Sequence, residues 1–535
     1  MRSSARRSIG LVILLTLLLV VSAIAAPIGL ARQATSTTVA GIDVDATTIP
    51  ELQALMDRHR LSSVQLTQFY LHRIKKLNPQ LNAVITVSPT ALADARAADK
   101  ARRQGDDRPL LGIPIIVKDN INTTGMPTTA GSWALAGSTP SDAFIVEQLR
   151  AAGALIIGKA NLSEWANFRS IPSSSGWSGI GGQNNMAYVL DRNPCGSSSG
   201  SGVAASADLA VAAVGTETDG SVVCPAGANS VVGIKPTVGL LSRSGIVPIS
   251  ADQDTAGPMA RNVTDAAVLL GAMTGVDPLD PATAAQAGNA FTDYTSFLDE
   301  NALDGATIGF WQEGTYNPDV SPEVDAVMQA TIAALEDEGA TVTEVTIPLD
   351  DVYGPEFDAL LCEFKTDIAA YLETYTDPPY PQTLADLIEF NAANPDLEGP
   401  WNSLIFELAE DTGGRADPDC IAARAAATPV VQARLDALLA DFDAIIAPTN
   451  GPAWVTDPVN GDLGGDFSTF VGSSSASAIA GYANVTVPAG YAGPLPIGVS
   501  FIGGEWEEPE LIALAYAFEQ ATQIRVPPAF IPTID

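Results

Sequence analysis

Two glycine- and serine-rich segments contain the serines best placed to act as nucleophiles. The first reads Cys195-Gly-Ser-Ser-Ser-Gly-Ser-Gly202 and includes Ser197. The second reads Gly215-Thr-Glu-Thr-Asp-Gly-Ser221 and ends on Ser221. A lysine, Lys118, follows an apolar run further upstream. This combination of residue types predicts nucleophilic chemistry by a serine that a nearby base activates.

Lys118 is a better candidate for that base than either histidine. The chain contains only His59 and His72, and both lie among charged residues in an N-terminal segment with helical periodicity. A lysine base must be neutral near pH 7, so its pKa must fall by roughly three units from ~10.4. Burial lowers a lysine pKa, and the apolar residues 113–117 are suited to provide it. The alternative is a surface cation paired with the adjacent Asp119.

The second segment is also suited to stabilise negative charge. Glycine lets the main chain adopt positive φ and approach a ligand closely. Consecutive N–H groups in such a turn can form an oxyanion hole. The alternative is an ordinary loop, and Gly472-Ser-Ser-Ser-Ala-Ser477 is a similar stretch that lacks the Thr-x-x-Asp-Gly-Ser continuation.

Alternating helices and strands are expected to position these residues. A helix with a break near 60–63 is predicted over 49–77, and Asn78-Pro79 is expected to end it. Further helices are predicted at 91–104, 144–152, 201–213 and 324–338, and strands at 110–117, 154–158, 341–347, 443–447 and 483–488. Residues 350–430 are acidic, helical and interrupted by prolines, as in a cap or insertion. The pattern predicts one large α/β domain whose sheet is covered by helices.

Composition excludes several classes of protein. The 535 residues are 46% hydrophobic, which argues against disorder. With 27 basic and 62 acidic residues, the net charge is −35. Such an acidic surface repels phosphate backbones, so no nucleic-acid partner is expected.

The N-terminus has the pattern of an export signal. Arg2, Arg6 and Arg7 precede the apolar stretch Ile9–Val21, and Ala23-Ile-Ala25 supplies small residues for cleavage. We therefore expect a signal peptide over 1–26, a spacer over 27–48, and a secreted or extracytoplasmic protein without stable membrane contact after cleavage. The alternative is an uncleaved anchor, because the apolar stretch continues to about Leu30.

The four cysteines do not have the spacing of a metal site. They form no C-x-x-C pair and no cluster with histidine, so no metal is expected. Export permits disulfides, and Cys362 with Cys420 form either a disulfide or a pair of buried thiols. Cys195 and Cys224, which flank the two serines, are interpreted as small buried packing residues.

Taken together, these segments resemble the amidase signature family of Ser-Ser-Lys hydrolases. The resemblance rests on Lys118 and on the two segments that contain Ser197 and Ser221. It continues through a series of ordered motifs: Cys224-Pro-Ala226, Gly233-Ile-Lys-Pro-Thr237, Gly239-Leu-Leu-Ser-Arg243, Gly245-Ile-Val-Pro248 and Asp254-Thr-Ala-Gly-Pro-Met259. It implies the amidase signature fold, a single domain over 49–535 with a central mixed β-sheet covered by helices.

The resemblance also implies a role for each site residue. Ser221 would be the nucleophile, Ser197 a bridging serine in a cis peptide arrangement, and Lys118 the base. Backbone N–H groups of Thr218, Asp219, Gly220 and Ser221 would form the oxyanion hole. No cofactor and no metal would be needed.

Departures from the commonest family pattern bear on the substrate. Ser199 and Ser201 replace glycines that many members have, Asp219 precedes Gly220, and Val223 stands where arginine is common. These variants look most like the peptide amidase branch, which implies a small-molecule or peptide amide substrate and release of ammonia. The alternatives are an amidase of aliphatic or aryl amides, the A-type subunit of a tRNA-dependent amidotransferase, and a non-catalytic amide-binding relative. Asn167 and Ser198 are further candidate substrate contacts.

Overall fold

The computed structural model describes residues 37–313, 315–464 and 472–534. The expected signal peptide at 1–26 and the first part of the spacer at 27–48 lie outside these residues. Within the part of the chain that is described, no helix is both long and apolar enough to cross a membrane.

A mixed sheet of eleven strands forms the centre of the fold. Its strands are β3 (Val84–Val87), β4 (Pro114–Lys118), β5 (Leu155–Ala160), β8 (Ala212–Glu217), β9 (Val232–Lys235), β10 (Thr255–Ala260), β11 (Thr307–Trp311), β12 (Thr341–Val345), β13 (Ala444–Pro448), β14 (Asn484–Ala492) and β15 (Leu495–Ile502). Their order across the sheet is β12-β11-β13-β15-β14-β9-β10-β8-β4-β5-β3. Two short hairpins lie apart from it: β1 (Thr38–Val39) with β2 (Ile42–Asp43), and β6 (Trp177–Ser178) with β7 (Gly182–Gln183). The predicted α/β class with a mixed sheet is confirmed.

Strand β4 lies between two parallel neighbours. It pairs with β5 on one side and with β8 on the other. All five of its residues are buried, as the apolar run before Lys118 predicts. Because β4 and β8 run in the same direction, their carboxyl ends bring Lys118 and Glu217 to the same edge of the sheet.

Helices cover the sheet. They are α1 (Ile49–Asp57), α2 (Ser63–Leu81), α3 (Ala91–Arg103), α4 (Phe144–Ala151), α5 (Ser199–Ser206), α6 (Val223–Ala228), α7 (Val263–Met273), α8 (Pro322–Asp337), α9 (Tyr353–Tyr375), α10 (Leu384–Ala393), α11 (Leu404–Glu410), α12 (Pro418–Leu439), α13 (Ser474–Ala480) and α14 (Glu508–Thr522). The predicted break after the first helix is present. The predicted end at Asn78-Pro79 is wrong, because α2 includes Pro79 and ends where Asn82 adopts a left-handed conformation with φ 49°.

The helix predicted over 201–213 is shorter than expected. Helix α5 ends at Ser206, and β8 already begins at Ala212. Asp208, with φ 54°, turns the chain between them. The small residues of α5 allow a close approach, since a Cβ at Gly200 would lie 2.4 Å from the carbonyl oxygen of Ala83. Small residues are buried in both elements, so their composition does not reveal where the helix becomes a strand.

Residues 350–430 are mainly helical, as predicted, and contribute to their own apolar cluster. Helices α9, α10, α11 and α12 lie in this region. Phe364 and Phe406 pack there with Trp165 and Phe168, which lie in the segment that follows β5. A disulfide between Cys362 and Cys420 joins α9 to α12, so the disulfide alternative for this pair is the one observed.

This disulfide should contribute measurably to stability. It closes a separation of 58 residues. Removing a crosslink of that kind costs about 2–5 kcal/mol, chiefly because the unfolded chain gains freedom. We expect the double variant Cys362→Ser, Cys420→Ser to have a lower free energy of unfolding by this amount in denaturant titration. An unchanged unfolding midpoint would contradict the pairing.

Candidate active site

The amine of Lys118 contacts a serine hydroxyl. Its Nζ atom lies 2.8 Å from Ser197 Oγ, 2.9 Å from Thr216 Oγ1 and 3.2 Å from the Thr216 carbonyl oxygen. The side chain is fully buried. Burial lowers the pKa of Lys118 to about 7, while the nearby carboxylates of Asp254 and Glu217 act in the opposite direction.

Asp119, the alternative partner of Lys118, is engaged elsewhere. Its Oδ1 lies 3.2 Å from Nζ of Lys159 on the neighbouring strand β5. Its Oδ2 accepts a hydrogen bond from the hydroxyl of Thr129. Among the described residues, no carboxylate lies within ion-pair distance of Lys118. The amine is therefore surrounded by neutral oxygen atoms and apolar strand.

Ser197 lies between Lys118 and Ser221. Its Oγ is 2.9 Å from Ser221 Oγ, so three polar atoms form a continuous chain from amine to second hydroxyl. The peptide bond between Gly196 and Ser197 is cis. The carbonyl oxygen of Ser197 accepts the N–H of Ser163 at 3.0 Å. Among the described residues, no histidine takes part in this series of contacts from Lys118 to Ser221, and His72 lies in α2.

Ser198 supports the site from behind. It is fully buried, and its hydroxyl donates to the Thr216 carbonyl oxygen at 2.9 Å and accepts the Thr216 N–H at 3.1 Å. Its own N–H donates to the carbonyl oxygen of Ser221. These bonds join the two serine segments, and the hydroxyl of Ser198 is hydrogen-bonded to the backbone of Thr216 in strand β8. A direct contact of this hydroxyl with substrate is therefore not supported.

The loop that ends at Ser221 presents free backbone donors. Among the described residues, the N–H groups of Asp219, Gly220 and Ser221 donate to no protein acceptor. Gly220 has φ +74°, a conformation that glycine adopts without cost. The next two N–H groups, at 222 and 223, donate to Oε2 of Glu217. The N–H groups at 222 and 223 are therefore engaged by Glu217, whereas those of residues 219–221 are available to bind an oxyanion.

The side chain of Thr218 anchors this loop, and the predicted role of its backbone N–H in the oxyanion hole stays a prediction. Its hydroxyl donates to Oδ1 of Asp254 at 2.6 Å. Oδ2 of Asp254 accepts the backbone N–H groups of Ile249 and Ser250. Burial raises the pKa of Asp254 to about 6, although these hydrogen bonds favour its charged form. Asp254 thus holds the loop that ends at Ser221 against the segment that leads into β10.

Asp219 receives support that the sequence does not reveal. Its two carboxylate oxygens accept the hydroxyls of Ser474 and Ser475, at 2.6 and 2.7 Å. Both serines begin α13, in the stretch whose composition is that of an ordinary Gly/Ser loop. The repeated Gly/Ser composition was the available signal, but composition does not show which loop it contacts.

Asn167 lies next to the cis peptide. A Cβ on Gly196 would be 3.2 Å from Asn167 Oδ1. Asn167 and the two residues before it all have positive φ, a conformation costly for residues other than glycine. Arg169, paired with the buried carboxylates of Glu164 and Glu398, anchors this turn to the helical region. The structure thus places Asn167 beside the peptide bond between Gly196 and Ser197. Its Nδ2 lies 3.4 Å from Ser175 Oγ.

The interpretation of Cys195 and Cys224 as packing thiols is wrong. The two cysteines form a disulfide, with Cα atoms 6.0 Å apart and a sequence separation of 29 residues. The reason is that the chain returns through β8 and places the start of α6 beside the residue before Gly196. The disulfide therefore joins the segment that contains Ser197 to the helix that follows Ser221.

Fold and site together define an amide-hydrolysing enzyme, and comparison with known proteins gives its family. The model described as Amidase matches residues 65–512, and the chain belongs to this amidase signature family. A probable amidase from Arabidopsis thaliana is 41% identical over 506 residues, covering 91% of this chain and 92% of that protein. The chain is accordingly a hydrolase of carbon–nitrogen bonds in amides.

Two further relatives are a peptide amidase and a subunit of an amidotransferase. The structure of a peptide amidase from Stenotrophomonas maltophilia is 47% identical and superposes with a TM-score of 0.85, covering 90% of this chain and 98% of that one. The A-type subunit of the glutamyl-tRNA(Gln) amidotransferase from Thermoanaerobacter pseudethanolicus is 32% identical over 499 residues, covering 90% of this chain and 98% of that protein.

The contact between α13 and Asp219 should matter for the rate. We expect the double variant Ser474→Ala, Ser475→Ala to lower kcat/KM for an amide about 10-fold, less than the 10²–10³ cost of losing an oxyanion donor outright. The matched control is Ser473→Ala, which removes a hydroxyl of the same segment that bonds the Pro448 carbonyl oxygen instead. Equal losses in both variants would mean that only general loop stability is involved.

Proposed function

We propose that this protein is an exported amidase that hydrolyses the C–N bond of primary or C-terminal peptide carboxamides and releases ammonia. The observation that carries the proposal is the chain of contacts from buried Nζ of Lys118 through Ser197 Oγ to Ser221 Oγ, at 2.8 and 2.9 Å. Such a chain can remove a proton from Ser221 without a histidine.

The acylation half of the mechanism follows from this geometry. The lone pair of neutral Lys118 accepts the Ser197 hydroxyl proton while Ser197 Oγ accepts that of Ser221. Ser221 Oγ forms a bond to the amide carbon, and the carbonyl π pair moves to oxygen. The proton on Lys118 then returns through Ser197 to the amide nitrogen. The C–N bond breaks with its electron pair on nitrogen, and ammonia leaves.

Deacylation uses the same groups in reverse. Lys118 and Ser197 accept a proton from water as its oxygen attacks the Ser221 ester. Collapse of the second tetrahedral species returns the proton to Ser221 Oγ and releases the carboxylic acid. In both halves, the N–H groups of Asp219, Gly220 and Ser221, which donate to no acceptor in the part of the chain that is described, can stabilise the oxyanion.

The substrate class is supported by the relatives and by the surface. The peptide amidase structure at 47% identity favours a C-terminal carboxamide over aliphatic or aryl amides. The amidotransferase relative is more distant at 32%, and a net charge of −35 disfavours a role with tRNA. Two disulfides, together with the N-terminal pattern, support an oxidising compartment and therefore export.

Ammonia release tests both reaction and nucleophile. We expect the wild-type protein to release ammonia from a C-terminally amidated peptide faster than from an aliphatic primary amide. Ser221→Ala should lower kcat by at least about 10³-fold, because it removes the atom that forms the acyl-enzyme. The control is Ser206→Ala, a buried serine whose hydroxyl has no partner among the described residues. A Ser221→Ala protein with wild-type activity would exclude this nucleophile.

The pH dependence tests the base. Because protonated Lys118 cannot accept a proton, kcat/KM should fall about tenfold per pH unit below a midpoint near the Lys118 pKa of about 7. Asp254→Asn removes a negative charge that raises this pKa, so it should move the midpoint to lower pH. A rate that stays constant down to pH 4 would contradict the assignment of Lys118.

A further inference from the structure

Gln253 is a buried amide that connects three segments around the active site. It is fully buried at the turn before β10. Its Nε2 donates to the Thr218 carbonyl oxygen at 3.0 Å and to Oε1 of Glu356 at 2.7 Å. Its Oε1 accepts Nη1 of Arg424 at 2.9 Å. Each polar atom of the side chain therefore has a partner on a different element.

The partners fix which way the amide faces. Arg424 is a guanidinium, which only donates, so the oxygen of Gln253 must face it. Glu363 holds Arg424 in turn, through its carboxylate. With the oxygen assigned to this side, the Nε2 group is directed at Thr218 and Glu356. Helices α9 and α12 thus determine the direction of a hydrogen bond to the loop before Ser221.

That hydrogen bond acts on a particular peptide group. The Thr218 carbonyl and the Asp219 N–H belong to one planar trans peptide and point in opposite directions. Holding the oxygen on the Gln253 side directs the Asp219 N–H to the other side. This N–H has no protein acceptor among the described residues. The Gly220 carbonyl is held similarly by the Cys224 N–H, which directs the Ser221 N–H.

We propose that Gln253 is a positioning residue that orients the Asp219 N–H for oxyanion binding by holding the Thr218 carbonyl oxygen. The proposal rests on the amidase function proposed above. Gln253 touches no reacting atom, so its effect is on the transition state, where the oxyanion forms, rather than on binding of the planar amide. Loss of its donor lets the 218–219 peptide rotate and weakens one oxyanion contact.

Gln253→Met tests the proposal, because methionine has a similar shape and no N–H donor. We expect kcat for an amidated peptide to fall about 10- to 100-fold, with KM changed less than about 3-fold, since removing an oxyanion donor outright costs 10²–10³. Affinity for the matching peptide aldehyde, which forms a tetrahedral adduct on a serine, should fall by a factor similar to that of kcat. A purely structural role would lower the melting temperature without this parallel loss.

Glu356→Gln is the matched control. It changes the other acceptor of the same Nε2 while leaving the bond to Thr218, and we expect kcat within about 3-fold of wild type, as for a contact outside the transition state. If Gln253→Met does not fold, Gln253→Glu is measured, because it keeps an oxygen toward Arg424 and replaces the donor.

The outcomes separate this proposal from the function on which it rests. A wild-type protein that releases no ammonia from any amide would exclude the function itself. An active wild type together with a folded Gln253→Met protein of unchanged kcat and aldehyde affinity would overturn only the role of Gln253.

Discussion

A primary amine can accept a proton from a hydroxyl near neutral pH only where its charged form is disfavoured. The fold meets this constraint by placing Lys118 at the end of β4, a fully buried strand between two parallel neighbours. The adjacent carboxylate of Asp119 is paired with Lys159, so sequence proximity does not become an ion pair. Burial then dominates the pKa of Lys118 and lowers it to about 7. Activation of Ser221 depends on this amine, because the hydroxyl of Ser197 alone is not basic enough to remove its proton.

The second constraint is the approach of two segments that are distant in sequence. Parallel β4 and β8 place Lys118 and the loop after Glu217 at one edge of the sheet. Ser197 reaches that edge because the Gly/Ser segment packs closely, and a Cβ at Gly196 would lie 2.3 Å from Ser163 Oγ. The Cys195–Cys224 disulfide then links the segment that contains Ser197 to the helix that follows Ser221. Small residues and the crosslink therefore serve the same end, which is a fixed distance between the two hydroxyls.

The sequence predicted those parts of the site that depend on local pattern. An apolar run ending in lysine indicates a buried strand with a desolvated amine, and ordered motifs indicate the family. The missed features all depend on which loops meet in space. Spacing does not show that Cys195 and Cys224 pair, nor does composition show that Ser474 reaches Asp219. The end of α5 was missed for a related reason, because continuous burial removes the periodicity that separates a helix from a strand.

The chain has a net charge of −35, and carboxylates near the site could raise the pKa of Lys118 and so favour its protonated form. Three of them lie on or beside the loop before Ser221, and each is bound by other donors. Glu217 accepts two backbone N–H groups, Asp254 accepts two more and a threonine hydroxyl, and Asp219 accepts two serine hydroxyls. These bonds direct Oε2 of Glu217 and both oxygens of Asp254 and of Asp219 toward the loops that they hold. These acidic groups therefore help to set the shape of the loop, and the effect of Asp254 and Glu217 on the pKa of Lys118 is smaller than that of its burial.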